Sequence, residues 1–356
     1  MRLSSDDLPM FFEAHHAALA ERLRAAAPLF AVDDDASAVR ALAGFFDLAV
    51  GAKDSRALCL VREALGYLSP RADSIFAVQG LGTYAAAANG IDVAAFARGE
   101  QIAAFALTEP EAGSDVAAIA TRADAVGNGF ALTGEKLFIS NLGIADHALV
   151  VAREGEALSA FWLDLAAPGV TIEVQTPTAP HPIGALSLRG AVAQRVGAAG
   201  QGMKLALTTL DAFRVSVGAA AVGMARRAFD EALAFVTQRR QFGKLLSEQP
   251  LVQAHLADMV VDLDSARLLV LRAAHLKDTT TGRVTTPVSI AKLGATEAAQ
   301  RVIDRAVQLF GGRGVMVGSV VEHLYRAIRP LRIYEGTSEI QRTIIGRALA
   351  REGSGK

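Results

Sequence analysis

Apolar residues follow a helical spacing in the first part of the chain, a strand-like spacing in the middle and a helical spacing again in the second half. Before residue 100, residues such as Leu58, Val61 and Leu65 recur at three- and four-residue intervals, which predicts helices with one buried face. Beyond residue 118 and up to residue 196, apolar residues alternate with polar ones among Gly, Pro and Asn, which is typical of strands. We therefore expect an α+β chain.

A long helical pattern begins near Gly202 and carries Asp211 and Arg214 as polar positions on one face. These two side chains form either a buried ion pair or part of a binding site. We place domain boundaries after residues 102 and 198. This predicts an N-terminal helical domain over 1–102, a middle β domain over 103–198 and a C-terminal helical domain over 199–356.

The composition indicates a folded globular protein, because 51% of its 356 residues are hydrophobic and 21% are charged. The formal net charge of -1 provides no general field for nucleic acid or an anionic membrane, so we expect neither partner. Cys59 is the single cysteine and the seven histidines show no ligand spacing, so we expect no disulfide and no metal. The most apolar tract, Val215 to Met224, is too short to cross a bilayer, and we expect a soluble cytoplasmic protein.

The segment RPLRIYEGTSEIQR places one carboxylate, that of Glu335, at a predicted bend. Pro330 should end the preceding helix, and the apolar residues after it suggest a short extended segment. Gly336 permits a sharp turn. Ser338, followed three residues later by Gln341, has the form of a capping box and predicts that a helix begins there.

Glu335 has two interpretations from this stretch alone. Beside Tyr334 and under an apolar roof, burial would raise its pKa, so that it could remove a proton near neutral pH as a general base. Alternatively, it is a solvated acid that favours a helix amino terminus. Only the rest of the chain can decide between the two.

Two polar segments in the middle of the chain stand in an informative order. ALTEPEAGSDVAA, residues 106–118, interrupts the helical pattern and concentrates hydroxyl and backbone N–H groups in one loop. GEKLFISN, residues 134–141, follows it. The pair resembles the two flavin-binding segments of the acyl-CoA dehydrogenase family. Phe138 stands where most members carry tryptophan and Ser140 where they carry threonine, which keeps an aromatic face and a hydroxyl.

Two later segments extend the resemblance. RRQFGKLL, residues 239–246, is predicted at a helix end, and the resemblance implies that it reaches the FAD of a partner subunit across a dimer interface. QLFGGRG, residues 308–314, follows a helical pattern and lacks the GxGxxG order, so it does not indicate a Rossmann fold. It resembles the family segment whose glutamine and glycines touch the partner's flavin.

The resemblance assigns roles to named residues. It implies Glu335 as the catalytic base, because the residue before Arg214, which carries the carboxylate in some family branches, is Phe213 here. Implied FAD-binding residues are Leu107, Thr108, Gly113, Ser114, Phe138, Ser140, Arg239, Gln241, Phe242, Gln308, Gly311, Gly312, Thr337 and Glu339. Implied substrate-binding residues are Ser114, Met203, Asp211, Arg214, Tyr334 and Gly336.

The implied fold has an N-terminal helical domain, a middle β-sandwich or barrel domain and a C-terminal four-helix bundle, assembled as a homotetramer. In the implied reaction Glu335 removes the α-proton of an acyl-CoA while a hydride passes from the β-carbon to FAD. In the family the thioester oxygen is bound by the backbone N–H of the glutamate and by a flavin ribityl hydroxyl. The electrons then pass to an electron-transferring flavoprotein.

Two alternatives remain open at this point. A flavin-dependent monooxygenase or desulfinase on the same scaffold would not need Glu335, and a flavin-binding subunit of a heteromeric enzyme would not need its own base. The acyl group is not identified either. Phe213 narrows one wall of the expected pocket, whereas Thr83 and the small residues 85–88 widen another, which favours short, branched or cyclic acyl chains.

Overall fold

The computed structural model describes residues 1–32 and 34–354. Its α-helices are α1 (Ser4–Asp7), α2 (Ala14–Ala26), α3 (Asp35–Leu42), α4 (Ser55–Leu68), α5 (Pro70–Ala88), α6 (Ala94–Ala97), α7 (Gly202–Val236), α8 (Pro250–Thr279), α9 (Thr285–Phe310), α10 (Val320–Ile328) and α11 (Ser338–Gly353). Its strands are β1 (Ala103–Ala106), β2 (Arg122–Val126), β3 (Gly129–Ser140), β4 (His147–Glu154), β5 (Ala157–Asp164), β6 (Val170–Val174), β7 (Ile183–Val196), β8 (Arg240–Gln241) and β9 (Lys244–Leu245).

Two compact units share these elements. The helical unit consists of Met1–Ala31, Asp54–Pro70 and Arg214–Lys356, and the β-containing unit of Val32–Lys53 and Arg71–Phe213. Both units are discontinuous in sequence, whereas the predicted domains follow the chain. The predicted boundaries therefore stay predictions.

The β-containing unit is built on a barrel. Strands β2, β3, β7, β5 and β4 pair in that order, and β4 pairs again with β2, which closes the ring. β1 runs parallel to β4, and β6 pairs with β7 outside the ring. The expected β domain is confirmed in this form.

Alternation along the strands explains the barrel core. Leu132 and Ile139 on β3, and Phe161 and Leu163 on β5, are buried in one apolar cluster that also contains Leu186 of β7. Successive side chains of a strand point to opposite faces, so residues two apart in sequence enter the same core. The strand-like spacing seen in the sequence therefore specifies the inward side of the barrel.

In the helical unit, two glycines let α4 approach α7 closely. A Cβ on Gly66 would lie 2.3 Å from the Ala220 carbonyl oxygen, and a Cβ on Gly223 would lie 2.0 Å from the Glu63 carbonyl oxygen. A larger residue at either position would force the helices apart. α8 and α9 complete the buried helical core, with Val270, Ala295 and other small side chains at their contacts.

One helix, α7, is long and apolar enough to cross a membrane by length and composition. The apolar tract from Val215 to Met224, which is too short to cross a bilayer, is thus only part of a longer helix. Of the most apolar 18-residue stretch of α7, 72% is buried inside the protein, which is typical of the core helix of a globular fold.

Candidate active site

The segment before Glu335 is not extended, so that expectation from the sequence is wrong. α10 ends at Ile328, and Arg329–Arg332 form one turn of 3₁₀-helix, with Pro330 in its first positions. Proline stabilises a helical start because its fixed φ suits that conformation and its missing N–H is not needed there. Glu335 then adopts a φ of 52°, a left-handed conformation that few residues other than glycine or asparagine adopt.

The helix after Glu335 begins at Ser338, as predicted, but its cap differs from the prediction. Thr337 is the N-cap residue, and its hydroxyl accepts from the Ile340 N–H. Ser338 instead donates to the Glu297 carboxylate of α9 at 2.6 Å. The Ser338–Gln341 capping box is therefore wrong, because Gln341 is turned back toward the bend.

Three buried side chains hold the backbone at the bend. The Arg214 Nε donates to the Glu335 carbonyl oxygen at 3.1 Å, and the Lys292 Nζ donates to the Gly336 carbonyl oxygen at 2.9 Å. The Gln341 Nε2 donates to the Gly336 oxygen at 3.0 Å and lies 3.4 Å from the Glu335 oxygen. Backbone carbonyls with such donors cannot rotate freely, so the direction of the Glu335 side chain is constrained.

Sequence reasoning missed Lys292 and the contact of Gln341. The available signal was a single lysine within the apolar run SIAKLGA of α9, where it is 0% exposed. Burial lowers the pKa of the Lys292 ammonium to about 8, while the negative charge of Glu335 acts in the opposite direction. A buried lysine beside a candidate base is the kind of group that functional sites contain.

A second buried lysine organises the predicted flavin segments of the β-containing unit. The Lys136 Nζ donates to the Glu109 carboxylate at 2.8 Å, to the Leu107 carbonyl at 3.1 Å and to the Val151 carbonyl at 2.6 Å. The Leu137 N–H also donates to the Thr108 carbonyl at 2.9 Å. The loop at residues 106–118 is thus fastened to β3, and the two segments lie side by side.

The charges of this pair are compensated. The Glu109 carboxylate also accepts from the backbone N–H groups of Ala120 and Thr121, at 2.6 and 3.0 Å. Burial opposes ionisation of Glu109, but these donors and the ammonium hold the pKa of that carboxyl below its ordinary value. Burial lowers the pKa of Lys136 to about 8 in spite of its partner.

Phe138 lies beyond this pair in a conformation that aromatic residues rarely adopt. Its φ is 58°, β3 is irregular between Lys136 and Ile139, and the side chain is 62% exposed. An exposed ring on strained backbone is a candidate contact for a planar ligand. Two residues on, the Ser140 hydroxyl lies 3.5 Å from the His181 Nε2, a neighbour that sequence reasoning did not find.

The RRQFGKLL segment follows the end of α7, as predicted, and forms a small β-hairpin that the sequence did not predict. α7 ends at Val236, and β8 pairs with β9 around a turn at Phe242 and Gly243. Glycine at the second turn position supplies the positive φ that a tight hairpin requires. Phe242 has a φ of 52° and is 95% exposed, and Arg239 and Gln241 are exposed as well.

The glycine segment after α9 has the context expected from the sequence. It follows a helix, not a strand, and forms a short 3₁₀-helix, Gly311–Val315. Gln308 is exposed, and a Cβ on Gly311 or Gly312 would meet no atom of the described residues within 4 Å. The space beside both glycines is therefore free of atoms of the described residues, so a ligand or another chain can contact their backbone closely.

Other residues predicted to bind substrate or flavin lie on α7 and in the loop at residues 106–118. Met203 and Asp211 lie in the part of α7 that belongs to the β-containing unit, where Phe213 packs edge-on to Tyr84 with ring centroids 5.9 Å apart. A Cβ on Gly80 would lie 2.4 Å from the Phe213 ring, so this glycine makes room for it. In the loop at 106–118, Gly113 and Ser114 are exposed and Thr108 is half-buried.

Comparison with known proteins identifies the family. Residues 104–191 match the model of the acyl-CoA dehydrogenase middle domain, and residues 200–350 match that of the acyl-CoA dehydrogenase C-terminal domain. The chain is 34% identical over 269 residues to the caffeyl-CoA reductase-Etf complex subunit CarC of Acetobacterium woodii, with 71% of this chain and 70% of that protein covered. The chain belongs to the acyl-CoA dehydrogenase family.

Two further relatives are informative. Human short-chain specific acyl-CoA dehydrogenase is 37% identical over 277 residues, which is 73% of this chain and 65% of the human protein, slightly under two thirds of its length. The solved structure of a Bacillus anthracis acyl-CoA dehydrogenase complexed with FAD matches with a TM-score of 0.87 at 26% identity, covering 97% of this chain and 68% of that one. The expected fold of N-terminal helices, β-barrel and C-terminal helices is confirmed.

In this family member, the residues present are chemically suited to a flavin. Phe138 offers an exposed aromatic face, Thr108 and Ser140 offer hydroxyls, and Arg239 with Gln241 offer exposed cationic and amide donors suited to a diphosphate. The open glycines at 311–312 add backbone that a ligand can approach closely. The roles of the individual residues stay predictions.

One cluster with metal-ligand residue types escaped the sequence analysis. His15, His16 and Asp54 place possible ligand atoms within 4.8 Å of one another. The His16 Nδ1 accepts from the Glu13 N–H at 3.0 Å, so the neutral ring carries its proton on Nε2 and donates it to Asp54 at 3.1 Å. Asp54 also caps α4 by accepting from Ala57. The cluster fastens α2 to the start of α4.

Proposed function

We propose that this chain catalyses the FAD-dependent α,β-dehydrogenation of an acyl-CoA thioester to the trans-2-enoyl-CoA, with Glu335 as the general base. The observation that carries the proposal is the bend at Glu335, where three buried side chains hold two carbonyl oxygens. Left-handed backbone and a buried cation both cost free energy. Such a construction is expected where the direction of one side chain matters for catalysis.

Glu335 takes the α-proton on a carboxylate oxygen. The bend orients the carboxylate, and the donors from Arg214, Lys292 and Gln341 keep the backbone in place during the transfer. The backbone N–H of Glu335 is the proposed donor to the thioester oxygen, where it stabilises the negative charge that develops as the proton leaves. Bound FAD supplies an acceptor for the hydride from the β-carbon.

The proposed flavin contacts are the exposed ring of Phe138 and the hydroxyls of Thr108 and Ser140. The Lys136–Glu109 pair supports them from beneath by fixing both segments to the barrel. Arg239 and Gln241 are proposed to serve the FAD diphosphate and adenine of a neighbouring subunit. Their exposure supports this, because exposed polar side chains can bind a group outside their own fold.

The proposed partner for the electrons is an electron-transferring flavoprotein, which the name of the relative CarC supports by placing it in a complex with Etf. The proposed assembly is a homotetramer. Large apolar side chains on the helical unit support an interface, because Leu251, Val261 and Val317 are 80%, 66% and 87% exposed. Size exclusion with static light scattering tests the assembly, and a flavin-loaded monomer would contradict it.

The proposed substrate class is short acyl-CoA, and branched or cyclic acyl groups are the further candidates. The name of the human relative supports short chains, and the Phe213 ring, packed on Gly80 and Tyr84, supports a restricted space. A panel of acyl-CoAs of increasing length, scored by anaerobic bleaching of the flavin, should show the fastest reduction for the shortest chains. Faster reduction by long straight chains would reject this class.

The test of the proposed function is Glu335→Gln. Glutamine is nearly isosteric, so fold, FAD content and ligand binding should persist, while flavin reduction by acyl-CoA should fall by about a hundred- to ten-thousand-fold. Anaerobic stopped-flow bleaching at matched saturation measures this step apart from electron transfer to a partner.

Glu21→Gln is the matched control, because the Glu21 side chain is 77% exposed on α2 and pairs with the neighbouring Arg24 of the same helix. It should reduce its flavin like the wild type. If Glu335→Gln also reduces its flavin within a few-fold of the wild type, Glu335 is a helix-terminal acid and the proposal is wrong.

A further inference from the structure

Lys292 is a charged residue inside the apolar core of α9. Its side chain is 0% exposed, and its neighbours on the same helix face are all buried, Val288 and Ala295 being apolar and Ser289 and Thr296 polar. Transfer of an ammonium group from water into such surroundings is unfavourable unless the charge is balanced. Some interaction must therefore offset the cost of burying this ammonium group.

The ammonium is directed at the bend that carries Glu335. The Lys292 Nζ lies 2.9 Å from the Gly336 carbonyl oxygen, although 44 residues separate the two in sequence. The Gln341 amide already donates to the same oxygen at 3.0 Å. The two lone pairs of this carbonyl oxygen can accept from both donors, and of the two donors only Lys292 carries a charge.

The charged groups around Lys292 come from four parts of the chain. Glu297 lies on the same helix α9, Arg214 on α7, and Glu335 and Glu339 on the bend and on α11. Glu297 is engaged elsewhere, because it accepts from Ser338 at 2.6 Å and pairs with Arg332 at 2.9 Å. Glu335 is the acidic group that acts most strongly on the ammonium.

We propose that Lys292 is a positioning residue whose ammonium holds the bend at Glu335 and Gly336 and keeps the Glu335 carboxylate ionised until it accepts the substrate proton. The inference rests on the proposed function of Glu335. Lys292 thus has two proposed roles: a hydrogen bond to the Gly336 carbonyl, and an electrostatic stabilisation of the Glu335 carboxylate that a neutral donor such as Gln341 does not provide. Opposite charges at short range favour the ionised form of both partners.

The charge of Lys292 itself gives the proposal a pH signature. Burial lowers the pKa of this ammonium to about 8, within the range in which enzymes are assayed. The kcat/KM profile reports the ionisations of the free enzyme. Wild type should therefore show an alkaline decline centred near pH 8 that is absent when the lysine is replaced.

Lys292→Met and Gln341→Leu separate charge from geometry. Lys292→Met keeps an apolar stem of similar length and should lower kcat/KM for flavin reduction at pH 7 by about 10- to 100-fold, as expected for a lost charged hydrogen bond. Its acidic limb, on which Glu335 must lose a proton, should move to higher pH, because loss of a nearby positive charge favours the protonated carboxyl. Gln341→Leu should lower the rate by about two- to tenfold and leave both limbs in place.

Hydrogen exchange provides a readout that does not depend on activity. In the flavin-loaded protein without substrate, amides of the peptide spanning residues 333–341 should exchange faster in both variants than in the wild type, because each loses a donor at the bend. Lys53→Met is the control, since Lys53 is an exposed lysine in a loop. It should match the wild type in rate, pH profile and exchange.

Three outcomes overturn the inference. They are a Lys292→Met enzyme with a wild-type pH profile, an equal shift of the limb in Gln341→Leu, and unchanged exchange in both variants. If methionine prevents folding, Lys292→Gln takes its place. Failure of the proposed function is recognised separately, because Glu335→Gln would then still reduce its flavin.

Discussion

The bend at Phe138 and the bend at Glu335 each combine left-handed backbone with a nearby buried lysine, and they differ in the carboxylate that accompanies the lysine. Each contains a residue other than glycine in left-handed backbone, with φ of 58° and 52° respectively. Each has a buried lysine nearby that donates to backbone carbonyl oxygens, Lys136 to those of Leu107 and Val151 and Lys292 to that of Gly336. In both lysines burial lowers the pKa to about 8.

The difference lies in the acidic partner. Lys136 is paired with Glu109, a buried carboxylate that two backbone N–H groups also bind, so its charge is balanced within the support itself. The carboxylate that acts most strongly on Lys292 belongs to Glu335, the proposed base. A balanced pair holds a surface in place, whereas Lys292 is proposed to act on the ionisation of Glu335 as well.

The largest expected effect is on stability in the β-containing unit. Lys136→Met leaves the Glu109 carboxylate buried without its cation, and should lower the free energy of unfolding by about 3–5 kcal/mol. Lys292→Met also takes a cation from a carboxylate, but Glu335 is only partly buried, so the free energy of unfolding should fall by less than about 2 kcal/mol. Denaturant unfolding of both variants with flavin bound measures the contrast.

The double variant Glu109→Gln with Lys136→Met sharpens that result. It should recover part of the loss, because neither charge is then left alone. Equal losses of stability for Lys136→Met and Lys292→Met would show that the buried Glu109 partner does not make Lys136 the more important lysine for stability.

A smaller effect is expected in the pH dependence of stability. The pKa of Lys292 is about 8 in the folded chain and near 10.5 when unfolded, so the unfolded chain binds more protons between these values. Stability should therefore rise with pH over this window by up to about 3 kcal/mol from this one group. The difference between wild type and Lys292→Met, followed by urea unfolding from pH 7 to 10.5, should show the rise.

Lys136 should contribute a rise of the same sign, which stays in both proteins and cancels in that difference. A flat difference curve would mean that Lys292 titrates alike in both states of the chain. A falling curve would mean that the surroundings stabilise the charged ammonium and raise its pKa, which would contradict the lowered pKa of Lys292.

The smallest expected effect concerns the strained backbone. Phe138→Gly should raise the free energy of unfolding by up to about 1 kcal/mol, since glycine adopts positive φ without strain and the exposed ring loses little packing. The same change should weaken FAD binding, because it removes the aromatic face. Thermal unfolding and flavin retention measure the two effects.

Phe242→Gly is the matched variant, since Phe242 is also in left-handed backbone and is 95% exposed. It should gain stability in the same way. Loss of stability at both positions would show that the rings pack within this chain, and that neither bend stores strain for a ligand.

Much of this organisation was predictable from local patterns. The order of helices and strands followed from apolar spacing, and the start of α11 at Ser338 was predicted correctly, although from a capping box that does not form. The family motifs pointed to Glu335, Phe138 and Ser140. What failed was local detail, namely the 3₁₀ turn before Glu335, the cap at Thr337 and the hairpin around Phe242. Several backbone conformations satisfy the same short pattern of polar and apolar residues, so such detail is weakly specified.

The sequence by itself determined the elements, their buried faces and the presence of a carboxylate beside Gly336, because these depend on residue types within one or two turns of chain. Only the tertiary structure decided which donors meet that bend. Lys292 reaches Gly336 across 44 residues and Arg214 reaches Glu335 across 121, and such contacts arise from packing rather than from any local preference. The charge of a buried lysine has meaning only once its neighbours are known, since burial and nearby carboxylates together set its pKa.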